Sequence, residues 1–520
     1  MRFGFSYVGL LYLVMLFVPN ILWTKHKPKD YDLYVGHENK LLLTLERIGE
    51  VLVSGLALVF SDFNLRPWNA WSLWLAVSFV LMVLYEIFWV RYFRSPKTMA
   101  DFYSSLFKIP VAGATLPVAA FFLLGIYGSN FPMILSSVIL GIGHIGIHLA
   151  HRKEVCGSKP KKHIALRILR TVGAVLLIAV FGVISAVIAL RNARYVTHYP
   201  NLIYGVDEGI FLPLGGQEQY VLMTGRDTKN PVMLYLHGGP SSPDAYVTYS
   251  FADRLTDQYT FVCWDQRGCG RTYFRNIDKD PDNADASFEQ ALTDLDELVD
   301  YLRDRFGQEK IILMGHSYGT ILGSRYALAH PEKVSRYIAV AQVVSLEKSD
   351  LYSYRDALDK AKKVGDDTTA LESAYQTVTD NPSLVNLMAL RREVSPYHPA
   401  AVADKSTWYA VTSPYFGMDD FRWFLRQLDD MDHYFTLNRQ LFDYTQNFNA
   451  EQDGMIYQIP VTFLSGSDDW ICPVDSVKNY CDAITAPSKE LRLIDGCGHS
   501  PQFSLPDAFA REVRSLSAVH

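Results

Sequence analysis

The sequence predicts two different materials in one chain: an all-α transmembrane bundle of six helices, then an α/β domain on a mostly parallel sheet. Three observations carry that reading. Apolar runs of spanning length recur six times before residue 195. Charge changes sign at the same place: residues 1–195 carry 20 basic and 9 acidic side chains, for +11, and the rest carry 29 and 46, for −17. Beyond that point apolar strands alternate with amphipathic helices, and a Gly-x-Ser-x-Gly run falls directly between a strand and a helix.

At 520 residues the chain exceeds one ordinary core. Its net charge of −6 offers no general nucleic-acid surface, and a hydrophobic content of 49% excludes disorder for most of it. The cysteines (Cys156, Cys263, Cys269, Cys472, Cys481 and Cys497) lack zinc-type spacing and are too scattered for a disulfide framework.

The apolar runs cover about 3–23, 43–60, 70–90, 109–127, 131–150 and 168–190. Each approaches the roughly 20 residues that a helix needs to cross ~30 Å of hydrocarbon. The first run reads as a retained helix rather than a signal peptide. It lacks a small-residue cleavage site, and further spans follow. The second run carries Glu46, Arg47 and Glu50 in its first half.

Orientation follows from the loops. Lys25, Lys27, Lys29 and Lys40 follow the first run, and Arg91, Arg94, Lys97 and Lys108 follow the third. Arg152, Lys153, Lys159, Lys161, Lys162 and Arg167 follow the fifth. The opposite side offers Arg2, Arg66, Arg191 and Arg194. Positive-inside bias places the three rich loops in the cytoplasm, so the α/β domain is expected outside it, on a multi-pass protein of the plasma membrane.

Some polar residues fall at membrane depth. His144, His148 and His151 are spaced i, i+4, i+7 and share one helix face. They read as a polar seam in the bundle, with metal or haem ligation or proton relay as the functional alternative. Glu46 and Glu50 lie one turn apart, and Glu86 falls late in the third run. Gly141, Gly143 and Gly146 point to close helix contact.

After a linker at 195–205, Gln219 to Leu222 reads as a strand. Pro231 to His237 reads as a buried strand running into Gly238-Gly239-Pro240. Thr260 to Trp264 reads as a strand ending in Asp265-Gln-Arg-Gly-Cys-Gly-Arg271, and 288–306 as an amphipathic helix. Ile311 to Met314 enters Gly315-His316-Ser317-Tyr318-Gly319, with a helix from Thr320 to His330. That junction is a nucleophile elbow: the glycines allow a sharp turn that holds the Ser317 hydroxyl above the sheet edge.

Two later strands end in loops that bear a base and its carboxylate. Pro460 to Ser465 leads to Gly466-Ser467-Asp468-Asp469, and Leu491 to Ile494 leads to Asp495-Gly496-Cys497-Gly498-His499. The order Ser, Asp, His is that of an α/β-hydrolase sheet. His499 is the expected base for Ser317, and Asp468 or Asp469 the expected carboxylate. The N–H of Tyr318 is one expected oxyanion donor. The His237-Gly238-Gly239 loop supplies the other, from Gly239.

These blocks resemble the proline iminopeptidase family of α/β-hydrolases. The resemblance rests on His237-Gly-Gly-Pro240, Trp264-Asp-Gln-Arg-Gly-Cys-Gly-Arg271, Gly315-His-Ser-Tyr-Gly319 and Gly466-Ser-Asp-Asp-Trp-Ile-Cys-Pro473, and covers about 205–515. It selects Asp469 as the carboxylate and matches His499 within Gly496 to Ser500. Two departures stand out. Ser241 occupies a position where the family's loop continues with glycine, and His316 and Tyr318 flank the serine where glycine and tryptophan are frequent. The resemblance implies a helical cap at 345–457, between core segments 206–344 and 458–520. Family aminopeptidases bind the substrate amine with cap carboxylates. Glu347, Asp350, Glu393 and Asp419 are the candidates, with Trp408 among the cap aromatics.

The expected function is a membrane-anchored serine hydrolase that releases N-terminal proline or another small residue from short peptides. An esterase or amidase for a lipid or small amide is one alternative, and a sensor or transporter with a hydrolase-like domain is another. The serine mechanism calls for no cofactor and no metal. Cys472 and Cys497 flank the two loops and read as free or buried thiols, with a pairing outside the cytoplasm as the alternative. The sequence does not set an oligomeric state.

Overall fold

The lengths of apolar sequence set the helices of the first unit. The computed structural model describes residues 1–34, 38–157, 164–198, 204–429 and 431–516. It separates into Met1–Thr197 and His198–His520. The first unit contains α1 (Tyr7–Lys25), α2 (Lys40–Val59), α3 (Leu73–Phe93), the short α4 (Met99–Phe102), α5 (Ala112–Tyr127), α6 (Phe131–Cys156) and α7 (Ile164–His198). Side-chain oxygens start several of them: Ser6 accepts from Gly9 N–H, Asn39 from Leu41 and Leu42, and Asn130 from Met133.

Among the described residues four helices are long and apolar enough to cross a membrane: Tyr7–Lys25, Ala70–Phe93, Phe131–Cys156 and Val172–Val196. The other two expected spans differ. Helix α5 has 16 residues, about 24 Å of rise. Helix α2 keeps Glu46, Arg47 and Glu50 within it. Lys159, Lys161 and Lys162 of the cytoplasmic reading lie outside the described residues. Helix α7 continues through His198 into the expected linker, whose residues 199–203 also lie outside them.

The bundle's interior is aromatic, with Tyr12, Tyr85, Trp89, Tyr92 and Phe121 buried. Its outer surface is also apolar: Leu10, Val14, Val80, Ile142 and Leu176 are exposed. An apolar outside with paired polar groups inside suits a lipid solvent. Tyr12 donates to Ser78 at 3.1 Å, and Ser78 donates to the Ala120 carbonyl at 2.7 Å.

The second unit is built on an eight-stranded sheet. Its strands are β1 (Val206–Leu214), β2 (Gln217–Gly225), β3 (Val232–Leu236), β4 (Thr260–Trp264), β5 (Ile311–His316), β6 (Val334–Val340), β7 (Val461–Gly466) and β8 (Lys489–Ile494), in the order β1-β2-β4-β3-β5-β6-β7-β8. The β1–β2 and β2–β4 pairs are antiparallel and the others parallel. Strand β1 was not foreseen in the sequence, although Gly215-Gly216, both at positive φ, carries the signal of a tight hairpin turn.

Side chains alternate between two cores. Val232, Leu234 and Leu236 of β3 enter one, and Met233 and Tyr235 the other, as a sheet covered on both faces requires. The crossover helices are α8 (Tyr249–Ala252), α9 (Gly270–Asn276), α10 (Phe288–Phe306) and α11 (Tyr318–Ala329). Between β6 and β7 the described elements are helical: α12 (Leu346–Val364), α13 (Thr369–Asp380), α14 (Leu384–Val394), α15 (Ser406–Thr412), α16 (Met418–Asp429), α17 (Met431–Leu437), α18 (Arg439–Asn447) and α19 (Ala450–Asp453), with a 3-10 turn at Ser395–Tyr397. Helices α20 (Val474–Ala483), α21 (Pro501–Ser504) and α22 (Pro506–Ser515) complete the unit. All six cysteines are free thiols.

Candidate active site

Strands β3, β5, β7 and β8 are parallel, so the loops after them gather at one edge of the sheet. Ser317 follows β5 directly. Its backbone sits at φ 52°, ψ −121°, a region costly for a residue with a side chain and common at functional turns. The flanking glycines are sterically required. A Cβ on Gly315 would lie 2.3 Å from the Gly319 carbonyl oxygen, and one on Gly319 would lie 2.2 Å from that of Leu236. The turn is therefore pressed against β3, and the half-buried Ser317 side chain projects from its apex.

His499 Nε2 lies 2.8 Å from Ser317 Oγ, and its Nδ1 lies 3.0 Å from Asp469 Oδ2. Asp469 has a fully buried side chain. Its Oδ1 accepts from the N–H groups of Ile471 and Cys472, both at 2.9 Å. Three donors thus hold the carboxylate, and the bond to Nδ1 fixes the imidazole's orientation. Asp468 points elsewhere and accepts from Ala401 N–H at 3.1 Å.

The residues that depart from the family pattern are tied into this array. His316 Nε2 donates to the His499 carbonyl at 3.0 Å. Burial, with His499 close by, pulls its pKa down to about 3, so it is a neutral brace for the His499 loop. Ser241 donates to Asn438 Oδ1 at 2.7 Å. The Tyr318 side chain is core, edge-on to Phe288. Ser317 N–H is engaged by the Val340 carbonyl at 3.0 Å, and the Tyr318 N–H is the first amide of α11.

Contacts from the distant cap helices hold the Gly238–Ser242 loop. Trp423 Nε1 donates to the Ser241 carbonyl at 3.0 Å, and the Tyr434 hydroxyl donates to that of Pro240 at 2.9 Å. The arginines of the 265–271 motif are ties of a different kind. Arg267 makes a bidentate pair with Asp294 of α10 at 2.7 and 2.8 Å, and Arg271 pairs with Asp420 of α16 at 2.6 Å. Trp423, Tyr434, Asn438 and Asp420 were not foreseen in these roles.

The candidate substrate carboxylates fall in varied places. Asp350 is held by Arg391 at 2.8 Å, and Asp419 by Arg422 at 2.9 Å. Glu347 is exposed in the first turn of α12, and Glu393 is half-buried near the end of α14. Trp408 is exposed on α15. Among the described residues none of the five hydrogen-bonds Ser317 or His499. Donor atoms of Asp469, Cys472 and His499 lie within 4.8 Å of one another. Burial and the Asp469 charge, however, push the Cys472 thiol up, away from the thiolate that ligates metals.

This fold and array define a class, the hydrolases built on an α/β sheet with a serine elbow. The family model for the alpha/beta hydrolase fold matches residues 231–506, and the chain belongs to that family. Its hydrolase domain is related to the proline iminopeptidases. It is 26% identical over 316 residues to the probable aminopeptidase YbaC of Bacillus subtilis, a match covering 59% of this chain and 96% of that protein. It is 25% identical to a proline iminopeptidase of Lactobacillus helveticus, over 55% of this chain and 90% of the other. Among solved structures, a proline iminopeptidase-related protein of Thermus thermophilus aligns with 60% of this chain and 98% of its own, at 18% identity and a TM-score of 0.41.

Proposed function

We propose that the protein is a membrane-anchored serine hydrolase that removes proline or another small residue from the N-terminus of short peptides. The observation that carries this reading is the continuous line from Ser317 through His499 to Asp469. In the proposed mechanism Ser317 Oγ attacks the first peptide carbonyl while His499 Nε2 takes its proton. The N–H groups of Gly239 and Tyr318 receive the developing oxyanion. His499 then returns the proton to the leaving amine, and the shortened peptide departs. Water, deprotonated by His499, releases the N-terminal residue from Ser317. Relatives named as aminopeptidases support the substrate class. Glu347 and Glu393 are the cap carboxylates that the ion pairs of Asp350 and Asp419 leave over for the substrate amine. All six apolar runs are proposed to span the plasma membrane, with the hydrolase unit outside the cytoplasm.

The test uses the full chain in detergent, on prolyl, alanyl and short acyl-ester reporters. Ser317→Ala is expected to lose on the order of 10⁶-fold in turnover. Unchanged turnover would end the serine mechanism, and turnover of esters alone would end the aminopeptidase assignment. A membrane-impermeant fluorophosphonate should label Ser317 on intact cells; labelling only after lysis would reverse the orientation.

A further inference from the structure

Helices α2 and α6 touch backbone to backbone. A Cβ on Gly143 would lie 2.3 Å from the Glu46 nitrogen, and one on Gly49 would lie 2.5 Å from Leu140 Cα. Only glycine allows this approach. It brings Glu46 Oε1 within 2.5 Å of His144 Nδ1. One turn further along α6, His148 Nδ1 meets the Tyr103 hydroxyl at 3.1 Å. The two imidazole rings stand 4.6 Å apart between centroids, at 76°. A donor atom from each of Glu46, His144 and His148 can be chosen so that all three lie within 4.8 Å of one another.

These residues line a cavity of about 660 Å³ inside the bundle, walled by Trp23, Tyr85, Trp89 and Phe102. The Glu46 side chain is only 13% exposed there. A carboxylate so placed requires polar partners. The α2 backbone offers it none, because the amides around Glu46 are engaged within the helix.

We propose that Glu46, His144 and His148 form a binding site for a divalent first-row transition cation of the Zn²⁺ class, open toward this cavity. Two histidines at i, i+4 with one carboxylate are a recurrent donor set for such ions. Tetrahedral ligation needs donors about 3.4 Å apart, within reach of small side-chain rotations. Tyr103 fixes the ring of His148 and leaves its Nε2 as the ligating nitrogen, as outer partners of metal-bound histidines do. His151 lies a turn beyond, facing Glu38 at 3.5 Å and Glu154 at 3.6 Å, and is not a ligand.

The full-length protein, on a tag without histidine, is purified in detergent, stripped with chelator, loaded with Zn²⁺ or Co²⁺ and desalted, and the bound metal is measured. About one cation per chain is expected, with Co²⁺ giving the visible absorption of nitrogen–oxygen ligation. His148→Ala and Glu46→Gln should retain at least about tenfold less, and Tyr103→Phe should weaken affinity roughly 10- to 100-fold. His26→Ala should bind normally. The second readout is the melting temperature of the unmodified bundle, which Zn²⁺ should raise, with no rise in Glu46→Gln. Two results overturn the site: no more metal in the native chain than in the His144→Ala/His148→Ala pair, or a native melting temperature indifferent to Zn²⁺. Either leaves a proton-sharing His144–Glu46 pair in its place. The hydrolase reading stands apart from both.

Discussion

Each unit holds a histidine against a carboxylate, and the two do so by opposite means. In the hydrolase unit Asp469 sits on a loop. The loop's free N–H groups at Ile471 and Cys472 bind one carboxylate oxygen, and His499 takes the other. In the bundle Glu46 sits within a helix whose amides are already used, so its nearest donor is the imidazole of His144. A loop can hold a charge with its own backbone, whereas a helix must borrow a partner from elsewhere. The pair at the sheet edge is therefore braced by its own loop, while the pair between helices rests on the packing of α2 against α6.

The largest effect that sharpens this contrast is expected at Asp469. Asp469→Asn keeps the shape but removes the charge that orients His499, so kcat should fall on the order of 10⁴-fold. Reporter turnover measures it, and a fall under about tenfold would show that the loop's two amide bonds do not serve the imidazole.

Next in size is the buried pair Arg267–Asp294, whose side chains are 3% and 0% exposed. Arg267→Met leaves a carboxylate with no counter-charge, at a cost of about 3–5 kcal/mol in denaturant unfolding. Replacing both partners with apolar residues should recover much of that. A loss below about 1 kcal/mol would rank the pair with exposed ones such as Arg275–Glu218.

The smallest expected effect is on pH. Burial raises Asp265 to about 7 and Asp244 to about 8. It lowers His237 to about 4 and His316, which also feels His499, to about 3. The aspartates are protonated in the fold and charged when unfolded, so their contribution falls as pH rises from about 4 to the raised values. The histidines are neutral in the fold and protonated when unfolded below about 6.5, so theirs is lost as pH falls. The two trends oppose each other between about pH 4 and 6.5. Above that only the aspartate trend remains. The unfolding free energy of the hydrolase unit, measured in denaturant on the full chain, should therefore decline between about pH 6.5 and 8, at up to about 1.4 kcal/mol per pH unit per group. Asp265→Asn should flatten that decline; an unchanged slope would remove Asp265 from the account.

What the sequence made legible follows the range of the interactions. The elbow at Ser317 is local: strand, glycine, serine, glycine and helix lie within twenty residues, and β5 and α11 form where that pattern places them. The choice between Asp468 and Asp469 stayed open on residues alone, since adjacent carboxylates share one composition. The deciding signal is the bond from Asp469 to amides two and three residues on, a recognisable local turn. The ties from Trp423 and Tyr434 to the Gly238–Ser242 loop cross more than 180 residues, and no periodicity reports them. In the bundle, apolar length marked α1, α3, α6 and α7. It could not show that Gly143 brings Glu46 against His144, because that contact depends on which helix packs beside α6.

The grip of Trp423 and Tyr434 on the carbonyls of Ser241 and Pro240 has a consequence for the working cycle. Any outward swing of α16 and α17 breaks those bonds and slackens the strip of chain proposed to receive the oxyanion. On the proposed mechanism, the seating of two cap helices more than 180 residues away then sets the shape of the loop beside Ser317.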